Sequence, residues 1–458
     1  MTASSSTAPT DLLPPAPPGP RGLPVMGNAL QLSGRDVLAA YTDLWRQYGD
    51  VIGLKLGPLN ACLLAHPDHV HHVLVKNQKN YIKGLGYDGF RLLVGQGLVT
   101  SDGDLWRQQR RLMQPPFTPT AISRYAAMMA EVTDRLLVRW ETAAQRGEPV
   151  NVDAEMMRLT MSVIGRAMFS LDLGEALAEV GAAFQSAFAF IPEQSLAPVK
   201  LPLWAPFPKQ RRFRHDLEVI NRFVSERIQA GRQQPGEDLL GLLLRAQDEE
   251  TGARMSEQQL RDEVITLFFA GFETTARTLT WAWYLLSRHP QAAEATAAEA
   301  RRVLGGRRPA MADVPELKYT RMVVDETLRL YPPTALLARQ NLEADTIGGY
   351  QVPARTLVIL IPHLVHRHPS VWPDPERFDP ERFAPAAVDA RSKNAYIPFA
   401  SGPRVCLGNS FALLEMVFAL AMALERFRVE PTSSEPIPAE FAGATRPTRP
   451  LWLKVHQR

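Results

Sequence analysis

Long stretches of the chain place apolar residues every three to four positions, which is the spacing of one buried face of a helix. This pattern predicts helices over 36–49, 104–113, 119–144, 153–170, 208–231, 291–304, 315–330 and 407–426. The longest helix is predicted over 256–288, where Ser256 and Gln259 form a capping pair at its start and His289-Pro290 ends it. With a rise of about 1.5 Å per residue, it would extend roughly 50 Å and cross the whole molecule.

Two stretches have the shorter spacing of β-strands. Residues 51–65 predict a hairpin with Gly57-Pro58 at its turn, and Cys62 in its second strand is expected to be a small buried core residue. Residues 346–362, TIGGYQVPARTLVILIP, alternate like a series of short strands, and a proline-rich coil follows over 369–405. The fold is therefore predicted to be mainly α with a small β subdomain.

Two proline-containing stretches interrupt this pattern. Residues 1–20 are rich in proline and serine and predict a disordered tail, which leaves 21–458 as a single domain. Residues 186–204 are apolar but broken by prolines, which suits either a mobile lid over an apolar cavity or an ordinary buried connection.

The composition argues against several classes of protein. Of the 458 residues, 45% are hydrophobic and 22% are charged, and the net charge of +3 does not suggest a nucleic-acid binder. Two cysteines cannot form a disulfide framework, which indicates a reducing compartment. We find neither a signal peptide nor about 18 uninterrupted apolar residues, so we expect a cytoplasmic protein without a transmembrane anchor.

Two motifs resemble known binding sites but lack the right context. GLGYDG at 84–89 fits G-x-G-x-x-G, yet we expect no buried strand before it and no regular helix after it, so a dinucleotide site is rejected. His363, His366 and His368 lie close together in a coil, where they are expected to be surface or hydrogen-bonding residues rather than metal ligands.

The second cysteine, Cys406, ends a loop rich in glycine and proline and directly precedes a predicted helix. At a helix N-terminus the dipole favours thiolate over thiol, and Arg404 adds positive charge nearby. Such a sulfur can be a nucleophile, a metal ligand or a buried thiol, and the loop alone leaves all three open. The wider sequence 399–408, FASGPRVCLG, fits F-x-x-G-x-R-x-C-x-G, the haem-binding motif of the cytochrome P-450 family, which this chain resembles.

A second motif lies at the centre of the long predicted helix. The sequence AGFETT, 270–275, is similar to the family's oxygen-activation motif. Its residues alone already make an unusual helix centre, because Gly271 is a poor helix former and the threonines can bond the carbonyl four residues back. It also brings Glu273 and Thr274 into an apolar stretch, which is the kind of environment expected of a proton-delivery site.

A third motif, ETLR, places Glu326 and Arg329 on one face of a helix, where they can pair. Such pairs are common by chance, but here the sequence LYPP follows directly and FDPERF comes some fifty residues later. Together with Arg382, the pair resembles the family's buried charge network. The resemblance implies a structural role, in which the network holds the coil that presents the cysteine.

A fourth motif, WRQQR, resembles the family's W-x-x-x-R and places Trp106 and Arg110 one turn apart on a helix. An indole N–H and a guanidinium in that position can hold carboxylates such as haem propionates. The resemblance implies these cofactor-binding residues: Trp106, Arg110, Arg339, Phe399, Arg404 and Gly408.

The resemblance implies a monomeric haem-thiolate monooxygenase with a long central helix over haem b, either a soluble, bacterial-type enzyme or a chain trimmed of its membrane anchor. Cys406 would be the axial ligand of the iron, Glu273 and Thr274 would deliver protons, and O₂ would be the co-substrate. Electrons from NAD(P)H would arrive through a ferredoxin or flavodoxin-type donor and its reductase. A haem sensor without turnover would not need the acid–threonine pair, and a cysteine hydrolase would leave the other motifs unexplained.

The substrate pocket is predicted from helical spacing and from the family's segment after YPP. The predicted lining residues are Thr266, Phe269, Ala270, Thr334 and Ala335. Walls of this kind imply an apolar substrate, which we expect to be a terpenoid, a steroid or a fatty acid that is hydroxylated or epoxidised.

Overall fold

A computed structural model describes residues 14–32, 34–172, 174–196, 201–248 and 250–458. The α-helices in these ranges are α1 Ala29–Leu32, α2 Val37–Tyr48, α3 Pro67–His71, α4 Asp88–Val94, α5 Gly103–Met113, α6 Pro119–Ile122, α7 Ala126–Arg146, α8 Val152–Phe169, α9 Gly174–Leu196, α10 Pro208–Gln233, α11 Leu239–Arg245, α12 Glu257–Arg288, α13 Pro290–Leu304, α14 Lys318–Leu330, α15 Pro362–Val365, α16 Pro385–Ala390 and α17 Asn409–Arg426. The strands are β1 Val51–Leu56, β2 Leu59–Leu64, β3 Tyr81–Ile82, β4 Val150–Asn151, β5 Leu337–Asn341, β6 Asp345–Ile347, β7 Tyr350–Val352, β8 Leu357–Leu360, β9 Phe427–Pro431, β10 Ala439–Phe441, β11 Thr445–Pro447 and β12 Trp452–Gln457. The predicted fold class, mainly α with a small β part, is confirmed.

The helices lie close to where the apolar spacing predicts them. No helix was predicted where α9 lies, and among the predicted helices the largest difference is at 119–144, where two short helical segments precede α7. Pro119 begins α6, and the chain turns through a 3-10 segment at Ser123–Tyr125 before α7 starts. The last helix, α17, begins at Asn409 rather than at 407.

The main sheet has five strands in the order β1-β2-β8-β5-β3. β1 and β2 form the predicted antiparallel hairpin, from Val51 opposite Leu64 to Leu56 opposite Leu59. Gly57 takes a positive φ of 60° at the turn, a conformation that costs glycine little because it has no Cβ. Cys62 in β2 is buried, as predicted, and β2 pairs in parallel with β8.

The long helix α12 forms the centre of the molecule, as predicted. Its N-cap is Ser256, whose hydroxyl accepts a hydrogen bond from the Gln259 N–H at 3.2 Å, and His289 ends it. α12 packs against α8, α10, α14 and α17, so most of its side chains are buried. Helices on several sides thus enclose α12, which explains why its sequence is apolar over more than one face.

The interpretation of 186–204 as a proline-punctuated connection is wrong for its first part. Residues 186–196 belong to α9, which packs against α4, α8 and α10. Phe184 and Phe188 are both buried, one turn apart, and this helical spacing extends into the segment. Residues 197–200 lie outside the described part, and Trp204 beyond them is 75% exposed.

The expectation of a disordered tail over 1–20 is wrong for residues 14–20. The Pro18 carbonyl accepts a hydrogen bond from Gly53 N–H in β1 at 2.8 Å, and the Pro15 carbonyl accepts one from Gln351 N–H in β7 at 2.9 Å. Prolines lack an N–H but keep the carbonyl acceptor, so this segment can still bond to the sheet. Residues 1–13 lie outside the described ranges. No helix in the described part of the chain is long and apolar enough to cross a membrane.

Candidate functional site

The loop before α17 holds Cys406 in a tightly fixed position. The Cys406 N–H donates to the Phe399 carbonyl at 2.9 Å, which closes the loop on itself. Gly402 has a φ of 71°, and a Cβ there would lie 2.2 Å from the Leu74 carbonyl oxygen. Only glycine fits such a contact. The glycine before the cysteine therefore lets the loop pack against the segment that carries Leu74.

The sulfur of Cys406 lies in an enclosed setting. Burial raises the pKa of this thiol, and a backbone hydrogen bond from Gly408 and the charge of Arg110 only partly offset the effect. Cys406 nevertheless keeps an accessible surface, so an incoming group can reach it. The expectation that the helix terminus and Arg404 favour the thiolate is wrong here, because burial dominates. A metal ion deprotonates a coordinating thiol outright, so this environment suits a ligand better than a free nucleophile.

The centre of α12 carries a strip of accessible positions between buried ones. Leu267, Ala270, Gly271 and Thr274 are exposed or partly exposed, whereas Phe268 and Phe272 are buried. At about 100° per residue, these accessible positions share one face of the helix. Thr274 lies on that face, and its hydroxyl donates to the Ala270 carbonyl at 3.1 Å. The threonine thus bonds the carbonyl four residues back, as the sequence indicates.

The structure places only part of the predicted pocket on accessible surface. Ala270 and Thr334 are accessible, but Thr266 and Ala335 are 3% and 0% exposed. Thr266 lies about 80° around the helix from Thr274, since the two are eight residues apart, so it falls beside the accessible strip. Its hydroxyl instead packs against Gly97, where an added Cβ would lie 2.0 Å from Oγ1. The prediction that Thr266 and Ala335 line the pocket is therefore wrong.

Phe269 belongs to a group of packed aromatic rings formed with α9. Its ring centroid lies 4.5 Å from that of Phe188 in α9 and 6.1 Å from that of Phe184. It lies about 140° around α12 from Thr274, since the two are five residues apart, so Phe269, although partly exposed, is on a different face from the accessible strip. The predicted pocket left out Leu267 and Gly271. These residues lie seven and three positions before Thr274, which is the spacing of one helix face, so the sequence contained the signal for both.

Glu273 points away from the strip and is held in a buried ion pair. Its Oε1 accepts from Arg277 Nε at 2.9 Å, and Arg277 Nη1 reaches Asp153 in α8 at 2.5 Å. Glu273 is 5% exposed, and its second oxygen, Oε2, has no hydrogen-bond partner. The acid and Thr274 are thus neighbours in sequence on different faces of α12, with one carboxylate oxygen available for a further hydrogen bond.

A group of cations surrounds one carboxylate beside the cysteine loop. Arg404 Nη2 lies 2.7 Å from Asp102 Oδ1, and its guanidinium stacks 4.3 Å from the centre of the Trp106 ring. Arg339 is buried and donates to the Ala338 carbonyl at 2.7 Å. Burial, followed by the charges of Arg339 and Arg404, lowers the pKa of buried Lys83 well below its ordinary value. Positive charge is thus in excess here, as expected of a site that binds an additional carboxylate.

Lys83 was missed by the sequence analysis. It is 8% exposed, and its ammonium lies 4.1 Å from the centre of the Tyr87 ring. A lysine between β3 and a turn has no spacing pattern that marks it as buried, so the sequence offers no signal. Arg110 lies apart from these contacts and donates to the Val405 carbonyl at 2.9 Å, next to the cysteine.

The pair from ETLR forms the centre of a fully buried network. Arg329 donates to both oxygens of Glu326, at 2.6 and 2.8 Å, and both side chains are 0% exposed. Arg382 Nε lies 3.6 Å from Glu326 Oε1, and the Asp379 N–H donates to the same oxygen at 2.8 Å. Burial raises the pKa of Glu326, and Arg329 opposes this effect. The network thus joins α14 to the coil that leads towards the cysteine loop.

The rejected motifs take other roles in the structure. His366 is buried, and its Nε2 accepts from the Ile397 N–H at 2.9 Å, so the expectation of a surface residue is wrong for it while that of a hydrogen-bonding one holds. The GLGYDG stretch runs through a 3-10 turn into α4, contrary to the expectation of no regular helix. The strand before it, β3, has only two residues, too short for the buried strand of a dinucleotide site.

These features define a class of protein. An accessible cysteine on a rigid loop, a central helix with an accessible threonine and an excess of buried cations together fit a haem-thiolate protein. The cytochrome P-450 family model matches residues 17–455. The chain belongs to the cytochrome P-450 family.

Similar proteins agree with this assignment. Cyclooctatin synthase of Streptomyces melanosporofaciens is 39% identical, over 90% of this chain and 89% of its own length. Cyclooctat-9-en-7-ol 5-monooxygenase of the same organism is 33% identical over 94% and 93%. Pentalenene oxygenase of Streptomyces avermitilis is 33% identical over 90% of each chain. The crystal structure of a cytochrome P-450 haem domain has a TM-score of 0.87 at 28% identity, and the match covers 98% of this chain and 99% of that one.

The chain is accordingly a haem-dependent monooxygenase, a single haem fold with a long central helix over the cofactor. It uses haem b and O₂, takes electrons indirectly from NAD(P)H through partner proteins, and acts on an apolar substrate. The residues present fit haem b, because Cys406 offers an accessible, unpaired sulfur and the cations around Asp102 lack enough carboxylates of their own. Bound haem would supply O₂ binding and transfer of one oxygen atom to the substrate.

Proposed function

We propose that this monooxygenase hydroxylates or epoxidises a cyclic terpenoid. The observation that carries this proposal is the apolar, accessible face of α12, formed by Leu267, Ala270 and Gly271 next to Thr274. Such a face binds a substrate chiefly by burying apolar surface. The relatives named for cyclooctatin, cyclooctat-9-en-7-ol and pentalenene favour a terpenoid over a steroid or a fatty acid.

Cys406 is the proposed axial ligand of the haem iron. The loop that carries it is closed by its own N–H on Phe399 and held by Arg110 at the Val405 carbonyl, so the sulfur is fixed before haem binds. Phe399 and Gly408 are proposed to pack around the ligand loop. A fixed ligand of this kind avoids an ordering cost when the cofactor enters.

The haem propionates are proposed to enter the group of cations around Asp102. Arg404, Arg339 and Lys83 would donate to them, and Trp106 would keep Arg404 oriented by stacking on its guanidinium. Arg110 was predicted to take part, and its bond to the cysteine loop supports a neighbouring role. The cluster as it stands has too few carboxylates, so binding two more would relieve repulsion among the cations.

Thr274 and Glu273 are proposed to handle the protons of the reaction. The Thr274 hydroxyl lies on the accessible face, where it can donate a hydrogen bond into the pocket or to the Ala270 carbonyl. Glu273 is held by Arg277 with one oxygen unpaired, so it can receive protons through water and pass them towards Thr274. Glu326, Arg329 and Arg382 are proposed to be structural.

A ferredoxin or flavodoxin-type protein is the proposed electron donor. The chain is proposed to act as a monomer in the cytoplasm. Residues 14–458 are proposed to form one haem domain. Arg107 and Arg111 in α5 are exposed basic residues near the cysteine loop, but they pair with Asp104 and Asp248. These carboxylates therefore partly neutralise the two arginines.

Two measurements test the proposed function. The reduced, carbon monoxide-bound protein should show the absorbance of thiolate-ligated haem, and Cys406→Ala should lose it; an unchanged spectrum in the variant would exclude Cys406 as the ligand. A library of terpenoids, steroids, fatty acids and charged metabolites should then be screened for spectral shifts and, with a ferredoxin, its reductase and NAD(P)H, for oxygenated products. Terpenoids should be bound and oxidised, and turnover limited to another class would overturn the proposed substrate.

A further inference from the structure

A cluster of imidazoles and one carboxylate lies apart from the cysteine loop, where three segments distant in sequence meet. Asp50 joins α2 to β1, His66 caps α3, and His368 follows α15. One potential ligand atom from each residue lies within 4.8 Å of the others. His368 Nε2 is 3.1 Å from Asp50 Oδ1, and the His66 and His368 rings meet edge to face with centroids 4.8 Å apart. These groups form a compact set of nitrogen and oxygen donors.

Neighbouring groups already orient each of these side chains. Trp45 Nε1 donates to Asp50 Oδ1 at 2.8 Å, and His368 Nδ1 lies 2.6 Å from Ser370 Oγ. His66 Nδ1 accepts from the Asp68 N–H at 3.1 Å. In both histidines Nδ1 is thus engaged by a nearby polar group, and Nε2 is the ring nitrogen that remains for a ligand. Metal-binding histidines are commonly fixed in this way by a partner on the second ring nitrogen.

A third imidazole in the same place lacks a partner. The His69 ring lies beside that of His66, with centroids 5.1 Å apart. Its Nδ1 is buried and has no hydrogen-bond partner. Buried nitrogens are nearly always paired, so one left unpaired beside the His66 ring requires an explanation.

We propose that Asp50, His66 and His368 bind one Zn²⁺ ion, with His69 or a water molecule at the fourth position. Zn²⁺ takes imidazole and carboxylate ligands at about 2.0–2.2 Å in a tetrahedral arrangement, which places ligand atoms roughly 3.3 Å apart. His368 Nε2 and Asp50 Oδ1, 3.1 Å apart, already have this spacing, and a ligand atom of His66 lies within 4.8 Å of both, so rotation of the His66 side chain would form the site. The ion would replace the direct contact between His368 and Asp50, and its charge would offset the carboxylate.

The position of the site indicates a structural role. Two residues before His368, His366 accepts from Ile397 and its carbonyl accepts from Arg329 at 3.0 Å, within the buried network. A metal bound by Asp50, His66 and His368 would tie the hairpin of β1 and β2 to this segment. Crosslinking distant segments stabilises the native state by mass action, because the unfolded chain does not hold the ligands together.

The test uses the haem-loaded protein, stripped of loosely bound metal with a chelator and titrated with Zn²⁺ by calorimetry. One Zn²⁺ should bind per chain and raise the melting temperature. His66→Gln and His368→Gln should each weaken binding at least about tenfold, the lower end of losses seen even for groups that only orient metal ligands. His456→Gln is the matched control, because it alters another histidine–carboxylate contact, with Glu430, and should leave binding unchanged.

Asp50→Asn keeps an acceptor for Trp45 but removes the charge, so it tests the site even if a histidine variant does not fold. It should also weaken Zn²⁺ binding at least about tenfold. Anomalous diffraction at the zinc edge should place the ion between Asp50, His66 and His368. Absence of stoichiometric binding would overturn the proposal, as would equal binding by the parent protein and all three variants, or an ion bound elsewhere.

Discussion

At the residue scale, the chemistry of this enzyme depends on where single side chains lie around α12. Thr274 is on the accessible face and Glu273 is not, although the two are adjacent in sequence. Thr274→Ala should therefore keep haem and substrate binding but lower the product formed per NAD(P)H consumed. The loss can reach the roughly 100-fold range that a positioned proton donor contributes. Product and hydrogen peroxide, measured together against cofactor consumption, give the ratio.

Thr280→Ala is the control for that experiment. Thr280 makes the same kind of bond to a carbonyl four residues back, from its hydroxyl to Ala276 at 2.9 Å, but it is buried away from the accessible strip. It should leave the ratio unchanged. Equal ratios for the Thr274→Ala variant and the parent protein would remove Thr274 from proton delivery.

Lys83 gives a second prediction at this scale. Its buried ammonium lies among cations, so it destabilises the haem-free protein and is compensated when propionates bind. Lys83→Met should speed haem loss to an acceptor protein by about 10- to 100-fold, since a hydrogen bond to a charged group contributes roughly 1.5–3 kcal/mol. The haem-free variant should be no less stable than the parent. Lys79→Met, at an exposed position nearby, is the control, and slower or unchanged haem loss in Lys83→Met would contradict the assignment.

At the scale of elements, the contact between α12 and the turn after α4 predicts a pH dependence. Burial, with a smaller contribution from Asp262, raises the pKa of Glu263 from 4.5 to about 8, and its Oε2 accepts from the Leu98 N–H at 3.0 Å. The native state therefore holds a proton that the unfolded chain releases above pH 4.5. The free energy of unfolding consequently falls as the pH rises from 4.5 towards 8, because the unfolded chain gains stability by ionising Glu263.

Glu263→Gln keeps the acceptor for Leu98 and cannot ionise. Denaturation at pH 5 should show little difference from the parent, whereas at pH 8.5 the variant should be more stable by roughly 2–4 kcal/mol. Glu257→Gln, at the exposed first turn of the same helix, should show no such trend. If the stability difference between Glu263→Gln and the parent is the same at both pH values, the raised pKa of Glu263 is contradicted.

The buried pair of α14 gives a prediction about the cysteine-bearing coil. Glu326→Gln leaves the Arg329 charge buried with a weaker partner, and such losses cost about 3–5 kcal/mol. Urea denaturation followed by haem absorbance and by circular dichroism measures the cost. Glu257→Gln again serves as control, because its partner Arg232 is exposed. A cost below 1 kcal/mol would show that the network does not hold the coil.

The elements also show what the sequence can and cannot determine. Apolar spacing located α12 and the β1–β2 hairpin, because one buried face leaves a regular pattern. The same spacing wrongly placed Thr266 in the pocket. Thr266 and Thr274 are eight residues apart, so they differ by about 80° around the helix and do not share one face. Lys83 had no pattern at all, and the histidines at 363–368 could not reveal the cluster of His368 with Asp50 and His66, since these partners come from segments far away in sequence. Tertiary contacts of that kind appear only in the folded chain.

At the scale of the whole molecule, the N-terminal segment 14–20 is the part that the sequence would assign to a tail. It adds carbonyl acceptors to β1 and β7, and Gly19 lies so close to Gly53 that an added Cβ would be 1.9 Å from its carbonyl oxygen. A protein starting at Arg21 should therefore be less stable than one starting at Pro14. The expected difference in unfolding free energy is about 1–3 kcal/mol, since two backbone hydrogen bonds and their packing are lost.

A control must distinguish the loss of these contacts from the shortening of the chain. A third protein, with residues 14–20 replaced by a glycine–serine sequence of equal length that has serine at position 19, should behave like the shorter one, because a Cβ there would meet the Gly53 carbonyl oxygen and the flexible sequence lacks the restricted backbone of the prolines. All three should keep the thiolate haem spectrum, since Cys406 lies on the separate loop that Arg110 and Phe399 hold. Equal stability of the three proteins would show that residues 14–20 add nothing to the fold, and loss of the spectrum in the shortest would show that the sheet and the cysteine loop are coupled.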